Sequence, residues 1–163
     1  MSEPLFQQVL RSSVDEVLEK MFFVEALGES PDSSPGGEKP QAEVAVQVGF
    51  LGDPPGSLTL RVTSAAARPI AADFLGCDED SVSDRQMEEV VCELANMICG
   101  SLLSRVESAT TFHLAAPQIV PPTEFPATGR ATSFCAVDLS NGTLTVAVTT
   151  GTPTCPEPAQ SAS

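Results

Sequence analysis

The sequence predicts an α+β fold: a largely antiparallel sheet of about six strands, with a long central helix and two other helices packed on it. Three observations predict it. Strand-like runs follow one another in blocks and do not alternate with helices, which argues against a parallel sheet. Two of the joints between such runs are the short turn sequences "DPPG" and "NG", the second being the strongest short hairpin signal a sequence offers. At 163 residues, 42% of them hydrophobic and 18% charged, the chain is long enough to bury a core as one domain.

The first element is a helix over residues 3–20, with Leu5, Phe6, Val9, Leu10, Val14, Val17 and Leu18 recurring at the three-and-four spacing of a buried stripe and Ser2 as a cap. The next stretch, "MFFVEAL", either continues the helix or, the favoured reading, begins a first strand, since consecutive aromatic and branched residues favour extended chain. Residues 28–41, "GESPDSSPGGEKPQ", then concentrate Gly, Pro, Ser and charge, the composition of a flexible loop. Beyond it "AEVAVQVGFLG" and "SLTLRVT" each alternate apolar and polar residues and form a hairpin across "DPPG".

A second helix is expected over "SAAARPIAADFLGC", with Pro69 in its first turn and Gly76 at its close. The longest helix opens at Ser83 or Asp84 and runs to about Val106. Three strands follow: "TTFHLAAPQIV", "TGRATSFCAVDLS" and "TLTVAVTT", the last two joined at Asn141-Gly142. The whole reads as a single domain over residues 1–152 and a disordered tail over 153–163.

Charge excludes some functions. With 22 acidic and 8 basic residues the net charge is -14, which repels phosphate backbones, so nucleic acid is not an expected partner. No segment has the roughly 18 apolar residues that span a bilayer, and the N-terminus lacks the apolar run of a signal peptide, so a cytoplasmic protein without membrane insertion is expected. Five cysteines include no C-x-x-C pair, and His113 is the single histidine, a poor supply for a zinc or iron-sulfur site. Cys92 and Cys99 read as small apolar residues in or near a core. No G-x-S-x-G occurs, and His113 falls in a strand-like run, which leaves little for an unrelated hydrolase.

On a helical wheel of about 100° per residue, Met87, Val90, Val91, Leu94, Met97, Ile98 and Leu102 fall in one apolar arc that must face the sheet. Glu89, Glu93, Asn96, Gly100 and Ser104 fall together on the other side. Polar residues on an outer face need no function. Gly100 is less easily explained, because a glycine inside a helix costs about 1 kcal/mol relative to alanine; its use there is to let another backbone come close, with Ala95 and Ser104 keeping the region low.

The stretch "CELANMICGSLLSRV" resembles the E-x-x-N active-site helix of the CheC/CheX family of chemotaxis phosphatases, and its single copy resembles the CheX-like branch. The resemblance implies a CheC-like fold and removal of phosphate from a CheY-type response regulator. It implies Glu93 and Asn96 as the catalytic pair, Glu89 and Gly100 as partner-contacting positions, no cofactor of the chain's own, Mg on the regulator, and a homodimer formed through the sheet. Where the family pattern has Asp or Ser four positions before the glutamate, this chain has Glu89, and Pro117 and Pro121 straddle the place of the expected proline. The rival expectation is a non-catalytic module of the same fold that docks a regulator or a flagellar or signalling component.

Overall fold

The computed structural model describes residues 3–21, 42–52, 55–106, 111–125, 133–139 and 142–150. Six antiparallel strands form one sheet: β1 (Glu43–Leu51), β2 (Gly56–Thr63), β3 (His113–Leu114), β4 (Gln118–Val120), β5 (Ser133–Leu139) and β6 (Gly142–Thr150). The order across the sheet is β3, β1, β2, β6, β5, with β4 also paired to β1. Three helices, α1 (Glu3–Glu16), α2 (Ser64–Leu75) and α3 (Asp84–Ser104), complete the α+β architecture. Of the predicted first strand at residues 21–27, Met21 is instead the last residue of the helical segment that α1 leads into, and residues 22–27, like the loop 28–41 and the tail 153–163, lie outside the described residues.

Alternation along the strands builds the core. Val46 pairs with Leu60, Leu60 with Val146, and Val146 with Cys135, so one buried row crosses the sheet from β1 to β5. Side chains directly opposite one another lie on the same face, and that face meets Leu10, Val14, Val17 and Leu18 of the first helix and Leu94, Ile98 and Leu102 of α3. The opposite face is not the solvated surface that simple alternation suggests. Ala45, Thr59 and Ala147 are buried there, and Phe125 stacks edge-on against Phe134 with Arg61 lying 4.5 Å over the Phe125 ring.

Several expected boundaries shift for local reasons. The first helix ends in a wider π turn over Val17–Met21, which keeps Val17 and Leu18 in the core. Helix α2 starts at Ser64, so Pro69 lies inside it and not in its first turn; Gly76, at φ 71°, closes it in the left-handed conformation that glycine adopts without strain. "TTFHLAAPQIV" forms two short strands instead of one: the Ala115 N–H reaches the Gly49 carbonyl at 2.8 Å between β3 and β4. Pro117 lacks an N–H, and β4 begins only after it.

Gly142 also differs from its expected use. The hairpin is present, with Leu139 opposite Gly142, but Gly142 is the first residue of β6 and not a positive-φ turn residue. A Cβ there would come within 1.9 Å of the Thr63 hydroxyl oxygen, so absence of a side chain is what brings β6 against the end of β2. At the outer edge of the sheet, the Gln7 carboxamide of α1 accepts from the Phe134 N–H at 3.1 Å and donates to the Phe134 carbonyl. It imitates a neighbouring strand for one peptide unit of β5, an edge that would otherwise offer unpaired backbone groups.

Candidate functional site on helix α3

The start of α3 is set by a capping box. Ser83 Oγ accepts from the Gln86 N–H at 3.1 Å while Gln86 Oε1 accepts from the Ser83 N–H at 2.9 Å, satisfying donors that the first helical turn leaves free. Arg68 of α2 donates to Asp84 Oδ1 at 2.7 Å and to the Val82 carbonyl, tying this end to its neighbour. At the far end Arg105 pairs with Glu16 of α1. The helix therefore has fixed ends and a fixed rotation.

Its rotation decides what it can present. Met87, Val90, Val91, Leu94, Ala95, Ile98, Cys99, Leu102 and Leu103 are all buried, an arc wider than the sequence indicates, because α1 and α2 flank the helix while β1 and β2 lie beneath it. Ala95 belongs to this arc at 0% exposure; it does not line the outer surface, which corrects the expectation that it keeps the region around Gly100 low. The side turned away from the sheet stays open as a strip: Glu89, Glu93 and Ser104 are exposed and Asn96, Met97 and Gly100 half-buried, with Asp84, Arg85 and Gln86 exposed in the first turn and Glu88, Cys92 and Ser101 half-buried along the flanks. Met97 was expected in the apolar arc and sits at its rim, packed against the core on one side only.

Glu93 and Asn96 are three residues apart, the spacing at which helical side chains are neighbours. Among the described residues neither side chain makes a hydrogen bond or ion pair, whereas Glu89 is held by Arg85, with Nε 3.3 Å from Oε2. The strip is electronegative: the Cys92 thiol is pushed up from its ordinary range first by burial and then by the charges of Glu88, Glu89 and Glu93. Burial alone pushes Cys99 up to about 12. Both sulfurs are therefore protonated and inert near neutral pH.

A Cβ built on Gly100 would meet nothing within 4 Å, so no contact among the described residues requires glycine there. Gly100→Ala should accordingly raise folding stability by about 1 kcal/mol, read as a higher midpoint in urea; a lower midpoint would mean that the helix needs glycine for itself. His113, exposed on β3 opposite Leu51, is remote from the strip in sequence and unconnected to it by any described contact. Among the described residues there is no group of three or more His, Cys, Asp or Glu side chains placed to hold a metal ion, and no helix is long and apolar enough to cross a membrane. Sequence reasoning missed Arg68 and Gln7, since a single Arg or Gln carries no periodicity that marks a long-range partner.

The family model for the chemotaxis phosphatase CheX matches residues 44–138, more than half of the chain, and that span contains all of α3. The chain belongs to the CheX family. A CheX from Vibrio vulnificus has the same fold at TM-score 0.69 and 18% identity, covering 93% of this chain and 99% of that one. The CheX of a CheX–CheY–BeF3–Mg complex from Borrelia burgdorferi matches at TM-score 0.65 and 20% identity, covering 88% and 96%. Thermotoga maritima FliY is more distant, with TM-score 0.56 and 13% identity over 91% and 89%. At these identities the likeness is one of fold, and the CheC-like architecture expected from the sequence is present. No curated protein matched the sequence.

Proposed function

We propose that this CheX-family protein is a phosphatase of the aspartyl phosphate carried by a CheY-type response regulator, acting in the cytoplasm through Glu93 and Asn96. The observation that carries the reading is the outer strip of α3: on the side turned away from the sheet the helix offers the Glu93 carboxylate and the Asn96 carboxamide at neighbouring positions, neither engaged by a described residue. The Borrelia burgdorferi relative, a CheX in complex with CheY, supports a receiver as the partner class.

The chemistry asks little of the enzyme beyond placement. An acyl phosphate on a receiver aspartate already has a divalent metal and a lysine beside it, Mg in this reading, so the chain brings no cofactor of its own. What limits hydrolysis is the position of the attacking water, and for phosphoryl transfer positioning and electrostatics supply most of the acceleration. The Asn96 carboxamide has both a donor and an acceptor with which to orient that water in line. Glu93, one turn earlier, forms a charge-assisted hydrogen bond with the receiver lysine and registers the helix over the phosphate.

Gly100 leaves the receiver backbone room to approach, so Gly100→Ala should weaken receiver binding while it stabilises the fold. Glu89, a longer acid than the family pattern has at that position and paired with Arg85, contacts the rim of the partner. This departure favours a second reading, a docking module that binds the regulator without hydrolysing it. Following acyl-phosphate loss from a phosphorylated receiver of the same organism separates the two. Acceleration at catalytic amounts of the protein is expected, with Glu93→Ala raising KM roughly tenfold and leaving kcat nearly intact; binding without acceleration would establish the module instead. The homodimer belongs to the same reading, and sedimentation across a concentration series measures it.

A further inference from the structure

Charge divides the outer side of α3 into two halves. Asp84, Arg85, Glu88, Glu89 and Glu93 all precede Leu94, and from Leu94 to Ser104 the helix carries no charged residue. In this neutral half Met97 is the one large apolar side chain of α3 that is not buried. The other exposed large apolar side chains among the described residues lie on other elements: Leu51, Leu114 and Ile119 at one edge of the sheet, Phe74 and Leu75 at the end of α2. Met97 follows Glu93 by four residues and precedes Gly100 by three, so it is a surface neighbour of both.

A helical side chain leans toward the N-terminus and covers the turn before it. A side chain at position 100 would therefore lie over Asn96 and Met97, and glycine leaves both uncovered. Ser104, one turn further on, would lean over Gly100 in the same way, but its hydroxyl donates to the Ser101 carbonyl at 2.8 Å and stays against its own helix. The result is a shallow notch at Gly100, flanked by the Asn96 carboxamide on one side and Met97 on the other. Met97 packs on the core with part of its length, which anchors it, and the free part is a flexible thioether that adapts to what it meets.

We infer that Met97 is the apolar contact of the receiver-docking surface: the receiver segment that closes over Gly100 presents an apolar side chain to Met97, and this contact sets how deeply the receiver sits over Asn96. The inference rests on the function proposed above. Met97 orients no water itself; it is a positioning residue, and it makes the site selective. A receiver with a charged side chain at the matching place would bury that charge against the thioether with no counter-charge in the neutral half of the helix, a cost that rejects it.

The test is steady-state turnover of a phosphorylated CheY-type receiver from the same organism by the full-length protein, with titration of the same pair for Kd. Met97→Gln, close in length but polar, should raise KM and Kd about tenfold and leave kcat within about twofold of the parent. Met97→Leu, apolar and of similar volume, should behave as the parent does. Gly100→Leu fills the notch from a position where no described residue is in the way, so it should lose binding while staying folded, and it keeps the test standing if Met97→Gln unfolds on heating below the assay temperature. Leu75→Gln, which replaces an exposed leucine at the end of α2, is the control and should change neither constant. Parent-like KM and Kd in folded Met97→Gln or Gly100→Leu, a fall in kcat with KM unchanged, an equal loss in Leu75→Gln, or a sedimentation shift in Met97→Gln alone would overturn the contact, the last assigning it to a second copy. A parent that binds the receiver without hydrolysing it refutes the phosphatase reading and leaves the contact standing on the Kd of Met97→Gln; a parent that does not bind refutes both.

Discussion

Asn96→Ala is expected to reduce stimulated dephosphorylation of the receiver by on the order of 10²-fold or more, since loss of a positioned water costs that much even when every other group stays in place. The side chain is half-buried on the outer strip of α3 and bonded to no described residue, so nothing in the core depends on it. Alanine is also the better helix former. The variant should therefore unfold at or slightly above the parent temperature while its turnover collapses, and its affinity for the phosphorylated receiver should change little. Turnover within a fewfold of the parent in a folded Asn96→Ala protein would remove Asn96 from the chemistry.

Leu94→Ala, two residues away on the same helix, should do the reverse. Leu94 is fully buried between α3 and the sheet. Truncating a leucine in such a place loses its transfer free energy and leaves a cavity, typically about 2–5 kcal/mol. For a domain of this size that corresponds to a fall of roughly 4–20 °C in melting temperature. The strip lies on the other side of the helix, so the molecules that remain folded at low temperature should keep the parent kcat. A melting temperature lowered by no more than a degree or two would mean that α3 is not seated on the sheet as described. The two substitutions together separate the face that holds the fold from the face that meets the partner.

Much of this was legible in the sequence because it depends on local spacing. Val44, Val46, Val48 and Phe50 alternate, and they form one buried row of β1. Ser83 precedes Gln86 by three residues, and the pair closes a capping box at the start of the long helix. Glu93 and Asn96 could be placed on the outer face of α3 from periodicity alone; their role was read from resemblance to the family, to which the chain belongs.

Other features were not legible, because they depend on residues far apart in the chain. Ala95 looks no different in sequence from an alanine on an exposed face; it is buried because flanking helices cover α3 beyond the stripe that faces the sheet. The same crowding makes the buried arc of α3 wider than its apolar periodicity indicates. Gly142 looked like a turn residue next to Asn141, and its real use, clearance for Thr63, is a contact between strands nearly eighty residues apart. Gln7 caps Phe134 across 127 residues, for which no local pattern exists.

By itself the sequence determined the periodicities: which stretches could bury one face as helix or strand, where the long helix begins, and that Glu93, Asn96 and Gly100 share a surface away from the core. Tertiary structure alone decided how much of each surface stays open. It covered α3 beyond the stripe that faces the sheet, tied its ends through Arg68 and Arg105, and left Ile119 and Leu114 uncovered on the strands at the sheet edge. The physical reason is that backbone geometry repeats every two or 3.6 residues and is written locally, whereas burial depends on which distant segments come to lie alongside.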